Sequence, residues 1–251
     1  MREFTLLYFA HTVGDFFLQT EALSEKKKAN GSGALIHSLV YALALFSTLV
    51  IYRSPCYLAS ISLCAVTHAA IDLDKPRIER RLKRRFCGAN TDATMFALDQ
   101  AAHTFFILIG AAIAANNADR AFVHGLILND IRALTGFDGF YILAAATLIL
   151  MSAKPANLFI ERVLAPFNSA GAKPRDLTRG RSIGTLERCI MAALLMLGQY
   201  AAIAVVFSAK SLARFKELDD RAFAEYYLLG TLTSAALCLY SYALFRVFGT
   251  L

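Results

Sequence analysis

Apolar residues along this chain come in long blocks divided by short charged segments, not in the every-third-or-fourth pattern of a helix half-buried in a soluble core. The blocks match a bilayer crossing, which takes about 20 residues of helix for a hydrocarbon layer of roughly 30 Å. They predict spans near residues 4–20, 34–52, 57–73, 93–115, 137–153, 184–209 and 223–247. A backbone in lipid must satisfy its own hydrogen bonds, and the ten-residue alternation of a transmembrane barrel is absent. The expected fold is therefore all-α: a polytopic transmembrane helical bundle of about seven spans. The stretch 119–134 is too charged to cross and reads as an amphipathic interfacial helix.

Composition agrees with a lipid solvent. Of 251 residues, 57% are hydrophobic and 18% charged, too apolar for a soluble domain of this length. With no internal repeat and no low-complexity tract, residues 1–251 read as one integral membrane domain: a four-span half over 1–115 and a supporting three-span half over 116–251. Residues 1–20 lack a basic leader and are interrupted by polar side chains, so they are expected to stay as a helix.

The net charge of +7 lies in the connections and acts first as a topology signal. Lys26, Lys27 and Lys28, the run of basic residues from Lys75 to Arg85, and Lys173, Arg175, Arg179 and Arg181 are expected on the cytoplasmic side. With seven spans this sets the N-terminus outside and the C-terminus inside. The last connection carries Lys210, Arg214, Lys216 and Arg221 to the outer side, accompanied by Glu217, Asp219 and Asp220. Membrane lipids, not nucleic acid, are the expected partners. The five cysteines are scattered without paired ligand spacing and are given no chemistry.

Chemistry enters with the intramembrane polar residues. Three spans carry a histidine and an aspartate four positions apart: His11 with Asp15, His68 with Asp72, and Asp99 with His103. Each pair shares a helix face. The order reverses in the third pair because that span runs the opposite way, so every aspartate lies on the cytoplasmic side of its histidine. His37 enters its span from the same side. The prediction is a layer of His11, His37, His68 and His103, with Asp15, Asp72 and Asp99 about one turn, roughly 5–6 Å, nearer the surface. Only His124, in the outer connection, stands apart.

Ionisable side chains inside a bilayer are expensive, a central charge costing about 2.5–3.5 kcal/mol on the insertion scale, so three aspartates need partners. A divalent cation supplies one, with the seven residues as ligands or as groups orienting the ligands. Nitrogen and oxygen donors leave Zn, Mn, Fe, Ni and Mg open, as one ion or two. Hydrogen bonding across helices explains one such pair comfortably, but not three. A proton or ion path is the other use of such residues, yet the cluster gathers near one leaflet and no chain of acids continues outward. Around it, Glu187, Arg188, Lys154 and Lys75 sit at the cytoplasmic ends of spans, and Gln19 and Gln100 are placed as hydrogen-bond partners. Lys210 and Arg214 are expected to pair with Glu225 in a structural clasp.

The string His11-Thr-Val-Gly-Asp15-Phe-Phe-Leu-Gln19, then His37, His68-Ala-Ala-Ile-Asp72-Leu-Asp-Lys75 and Asp99-Gln100-Ala-Ala-His103 resembles the bacterial domain-of-unknown-function family 3307. The resemblance continues through Ile183-Gly-Thr-Leu-Glu187-Arg188, Lys210-Ser-Leu-Ala-Arg214 and Glu225-Tyr-Tyr-Leu-Leu-Gly230-Thr-Leu-Thr-Ser234. It implies a multi-pass membrane fold and no established activity.

The expectation carried forward is a metal-dependent inner-membrane hydrolase acting on a lipid-linked or amphiphilic phosphoester. His11, Asp15, His37, His68, Asp72, Asp99 and His103 are its metal ligands, and Asp15, Asp99 or Glu187 its base. Lys75, Lys154, Gln19 and Gln100 would face the substrate. The alternatives are an oligomeric channel or transporter with a cation in the same cluster, or a membrane effector that docks a cytosolic partner on its basic loops and keeps a structural metal.

Overall fold

Apolar runs of this length satisfy their backbone by winding into helices, and the computed structural model is helical almost throughout the residues it describes: 1–29, 31–85, 90–116, 122–123, 131–167 and 174–251. Two compact units result, Met1–Thr147 with Phe245–Leu251, and Leu148–Leu244. Among the described residues, five helical segments are long and apolar enough to cross a membrane: Ser32–Val50, Pro55–Arg85, Thr91–Ala115, Gly139–Phe167 and Arg221–Phe248.

The first unit begins with α1 (Arg2–Thr12), which runs into a π-helical turn over Val13–Phe17, followed by the short α2 (Glu21–Ala29). Then come α3 (Gly31–Ser47), extended by a 3-10 turn at Thr48–Val50, α4 (Pro55–Arg85) and α5 (Thr91–Ala115). A two-residue ribbon joins the ends remote from the histidines, with Tyr52 opposite Val123 and Arg53 opposite Phe122. Helix α4 starts at a proline, with the Ser54 hydroxyl accepting from the Tyr57 N–H (3.0 Å). Helix α5 starts under the Asn90 side chain, which accepts from the Ala93 N–H (3.2 Å).

Helix α1 is the core of this unit. Phe4 and Leu7 are fully buried, and Phe4 and Tyr8 meet Phe245 at ring distances of 5.5 and 5.4 Å. A helix packed on all sides by protein need not match the bilayer in length, which is why the apolar block at 4–20 holds an 11-residue α-helix and a π turn and is not among the five spanning segments. Glu3 is buried there too and accepts a hydrogen bond from the Tyr52 hydroxyl (2.8 Å). Burial, together with that carboxylate, pushes the Tyr52 hydroxyl well above its ordinary pKa.

Helix α6 (Gly139–Ser152) leads into the second unit, which contains α7 (Lys154–Leu164), α8 (Pro174–Met196), α9 (Tyr200–Ala213) and most of α10 (Arg221–Phe248). Its core is Met191, Ala192, Leu195 and Cys238, packed with Ile203 and Phe207. Arg188, expected near an interface, is 1% exposed and fully engaged. It donates to the Ser152 carbonyl (2.7 Å), Ser234 Oγ (3.1 Å), Asn157 Oδ1 (2.5 Å) and Thr185 Oγ1 (3.3 Å).

Two expectations are corrected in this unit. The span at 184–209 is two helices, because Gly198 adopts φ +69°. The Gln199 N–H bonds the Leu194 carbonyl (2.8 Å) and the Gly198 N–H the Leu195 carbonyl (3.1 Å), the pairing that ends a helix on a left-handed glycine. The clasp also has other partners: Lys210 pairs with Glu187 (2.6 Å) and Arg214 with Glu217 (2.8 Å), while Glu225, their anticipated partner, is held by Arg221 (3.0 Å) one turn earlier on its own helix. The interfacial helix at 119–134 and the basic residue Lys173 fall largely or wholly outside the described residues.

Replacing Gly198 with valine should lower stability by about 1–2 kcal/mol, the cost of a side chain in the left-handed region. Gly198→Asn should cost less, because asparagine tolerates that region. Thermal unfolding of the detergent-solubilised variants by circular dichroism measures both, and an unchanged midpoint for the valine variant would show that the helix break is dispensable.

Candidate metal centre

Four helical segments deliver the polar side chains to one end of the first unit. His11 is in the last turn of α1 and Asp15 in the π turn that follows; His37 is near the start of α3, His68 and Asp72 are in α4, and Asp99 and His103 in α5. π turns recur at functional sites because they shift the facing of a few residues without ending the helix. Here the shift sends Asp15 to α3. A Cβ on Gly14 would lie 3.1 Å from Tyr41 Cδ2 and 3.3 Å from Ala44 Cβ, so glycine is what lets α3 close on this turn.

All seven residues come together, but their contacts run between helices more than within the expected pairs. His37 Nε2 lies 3.2 Å from Asp15 Oδ1, 3.4 Å from Asp72 Oδ2 and 3.2 Å from His68 Nε2. Only His68 and Asp72 meet directly within an i,i+4 pair (3.3 Å). Gln100 bridges the others: its Nε2 donates to Asp15 Oδ2 (3.1 Å) and Asp99 Oδ2 (3.3 Å), and its Oε1 is 3.3 Å from His11 Nε2. The four histidine rings are each 3% exposed or less.

The donor and acceptor count explains why a cation fits. An imidazole Nε2 holds either a proton or a lone pair, so His37 Nε2 cannot satisfy two carboxylates and a second imidazole at once. Asp72 Oδ2 is approached by His37, His68 and the Lys27 ammonium, the last at 2.6 Å. Asp99 Oδ1 and His103 Nε2 are buried without a hydrogen-bond partner and face each other at 3.9 Å. That separation is too long for a hydrogen bond, so both atoms keep a lone pair or proton free for another group. Two triads, Asp15 with His37 and His68, and His68 with Asp72 and His103, have ligand atoms within 4.8 Å of one another. Among the described residues the cluster sets three carboxylates against two ammonium groups, Lys27 and Lys75.

Lys75 and Gln100, anticipated from sequence, reach the cluster, Lys75 through Asp99 Oδ2 (2.8 Å). Gln19 is half-buried just beyond the π turn. Glu187 and Lys154 belong to the second unit, where Glu187 is held by Lys210. His124 lies outside the described residues. Two participants escaped the sequence reading. Lys27, taken only as a topology signal, pairs with Asp72 from α2. Tyr41 stacks on His68 with ring centroids 3.6 Å apart and places its hydroxyl 3.2 Å from His11 Nδ1. Tyr41 is one helical turn after His37, a spacing that marks it as facing the same way; no spacing distinguishes Lys27 from its lysine neighbours.

The family model of a protein of unknown function, DUF3307, matches residues 4–127, which hold every member of this cluster. Over residues 4–127 the chain is similar to the DUF3307 family. The DUF3307 stretch thus contains the helices that build the centre. No curated protein and no solved structure matches the chain.

Replacing Lys27 with methionine leaves Asp72 short of its cation and should cost about 3–5 kcal/mol in the metal-free protein, as loss of one partner of a buried pair does. Added Zn²⁺ or Mn²⁺ should raise the melting midpoint more in this variant than in the parent. An unaltered midpoint would remove the ammonium from the account of how Asp72 is neutralised.

Proposed function

We propose that this chain is a metal-dependent integral membrane hydrolase, of the bacterial inner membrane, that acts on a lipid-linked or amphiphilic phosphoester. The observation that carries the reading is the convergence of two buried His/Asp triads on His68, with an orphaned carboxylate oxygen and an orphaned imidazole nitrogen beside them. Asp15, His37 and His68, joined by Asp72 and His103, are the ligands. Their donor set is that of a borderline divalent metal. Such an ion, when bound, supplies Lewis acidity and a water of lowered pKa.

The remaining roles fall to the chain itself. Gln100 and Tyr41 orient His11, Asp15 and His68 by the contacts described. Asp99 keeps Oδ1 free while Lys75 and Gln100 hold Oδ2, which suits a general base better than Glu187, whose charge is met by Lys210. Lys75, with a third of its side chain exposed, is the group for an anionic phosphate oxygen. The basic residues that follow it on α4 favour the cytoplasmic side and its anionic headgroups.

Metal content of the detergent-purified chain, by mass spectrometry, is the test. Metal-replete protein should retain a divalent ion and release product from a lipid phosphoester. His68→Ala should lose about tenfold or more of the bound metal and the turnover, while eluting as a folded species. Metal-free protein after metal-replete purification would overturn the reading. Cation flux through liposomes that depends on Asp15, Asp72 and Asp99, with no lipid turned over, would replace it with transport.

A further inference from the structure

A groove of about 300 Å³ opens between α4 and α5. Its apolar lining includes Ile71, Ile78, Leu98 and Phe106, with the small side chains of Ala70 and Ala102 among them. Leu98 is 52% exposed, so this is an outward-facing surface and not a void in the core. The α4 side extends from Thr67 to Ile78, about 16 Å of helix at 1.5 Å per residue.

Three residues of the groove are charged. Asp99 lines it and is also a member of the buried cluster. Lys75 lines it, bonded to Asp99. Asp74, also on the lining, has its charge met by Arg77 (3.0 Å). Beyond this point α4 carries Arg77, Arg80, Arg81 and Arg84 around one shared hollow. Charge along the groove is thus graded, from apolar walls to an ammonium and then to guanidinium groups.

From this gradation we infer that the groove seats an acyl chain of an anionic amphiphile, a phospholipid-like molecule whose phosphate meets Lys75. The buried cluster is then reached sideways, between two spanning helices, and not from water. The inference deepens the hydrolase reading by naming the substrate class and its route, and rests on that reading for the substrate's fate. Chain and head have separate recognition: the apolar walls admit a hydrocarbon, and the basic end selects a negative phosphate over a zwitterion. An anionic head that engages Lys75 also competes with Asp99 for the same ammonium, which frees the carboxylate oxygen next to the cluster.

The test uses the full chain in phosphatidylcholine vesicles doped with phosphatidylglycerol that carries a photoreactive acyl chain, with labelled peptides mapped by mass spectrometry. Label should concentrate on residues 67–78 and 95–106, well above that on Leu39 and Leu43, which α3 exposes at 62% each. Lys75→Gln should cut groove labelling about fivefold, the worth of one lysine near an anionic head. Ala102→Trp and, separately, Ala70→Phe should block the groove and abolish labelling there while sparing α3. A photoreactive phosphatidylcholine that labels the groove as strongly as phosphatidylglycerol, or equal labelling of α3 and the groove, overturns the proposal. Metal content and turnover read on the same samples keep the two readings apart. Groove labelling in a metal-free, inactive chain sinks the hydrolase and leaves the lipid seat standing, whereas a metal-loaded chain without groove labelling sinks the lipid seat.

Discussion

Three carboxylates inside a helical bundle are a debt that lipid does not relieve, since each central charge costs about 2.5–3.5 kcal/mol even on the lenient scale. The first unit is arranged around meeting it. Asp15 draws His37 from α3 and Gln100 from α5; Asp72 draws Lys27 from α2 and His37 again; Asp99 draws Lys75 from α4. Each carboxylate therefore ties at least two segments together, and the directional hydrogen bonds set which turn of each helix faces the centre. Between apolar faces in lipid no comparable force selects a register, because the tails are as apolar as the side chains.

The hydrogen bonding of the centre is also uneven. A purely structural cluster reaches a state in which every buried donor has one acceptor. Here two Nε2 atoms face each other at 3.2 Å, one carboxylate oxygen serves three partners, and Asp99 Oδ1 and His103 Nε2 serve none. Too many acceptors at one point and too few protons is the condition a cation relieves. Pro76 adds to the local polarity: with no N–H, it leaves the carbonyl four residues earlier, that of Asp72, without its helical donor.

The second unit meets its buried charge differently. Arg188 spreads four hydrogen bonds over a carbonyl, two hydroxyls and an amide oxygen, with no carboxylate among those acceptors. Guanidinium is planar and weakly hydrated, so neutral acceptors in its plane suffice where a carboxylate would demand a cation. The acid next to it, Glu187, is met by Lys210 on α9.

Much of the centre was legible in the sequence because helical periodicity is local: residues four apart share a face whatever the surroundings, and chain reversal follows from short connections. That reasoning put the seven His and Asp residues at one end, along with Gln100 and Lys75, and the family resemblance rested on the same positions. Tertiary structure alone decided how they pair. Contacts such as His37 with Asp15, or Lys27 with Asp72, depend on the distance and rotation between helices, which no spacing along one helix contains. The same limit hid the π turn after α1 and the end of α8 at Gly198. Hydropathy records that a stretch is apolar, but whether its backbone continues is settled by one turn's hydrogen bonds and by what packs against it.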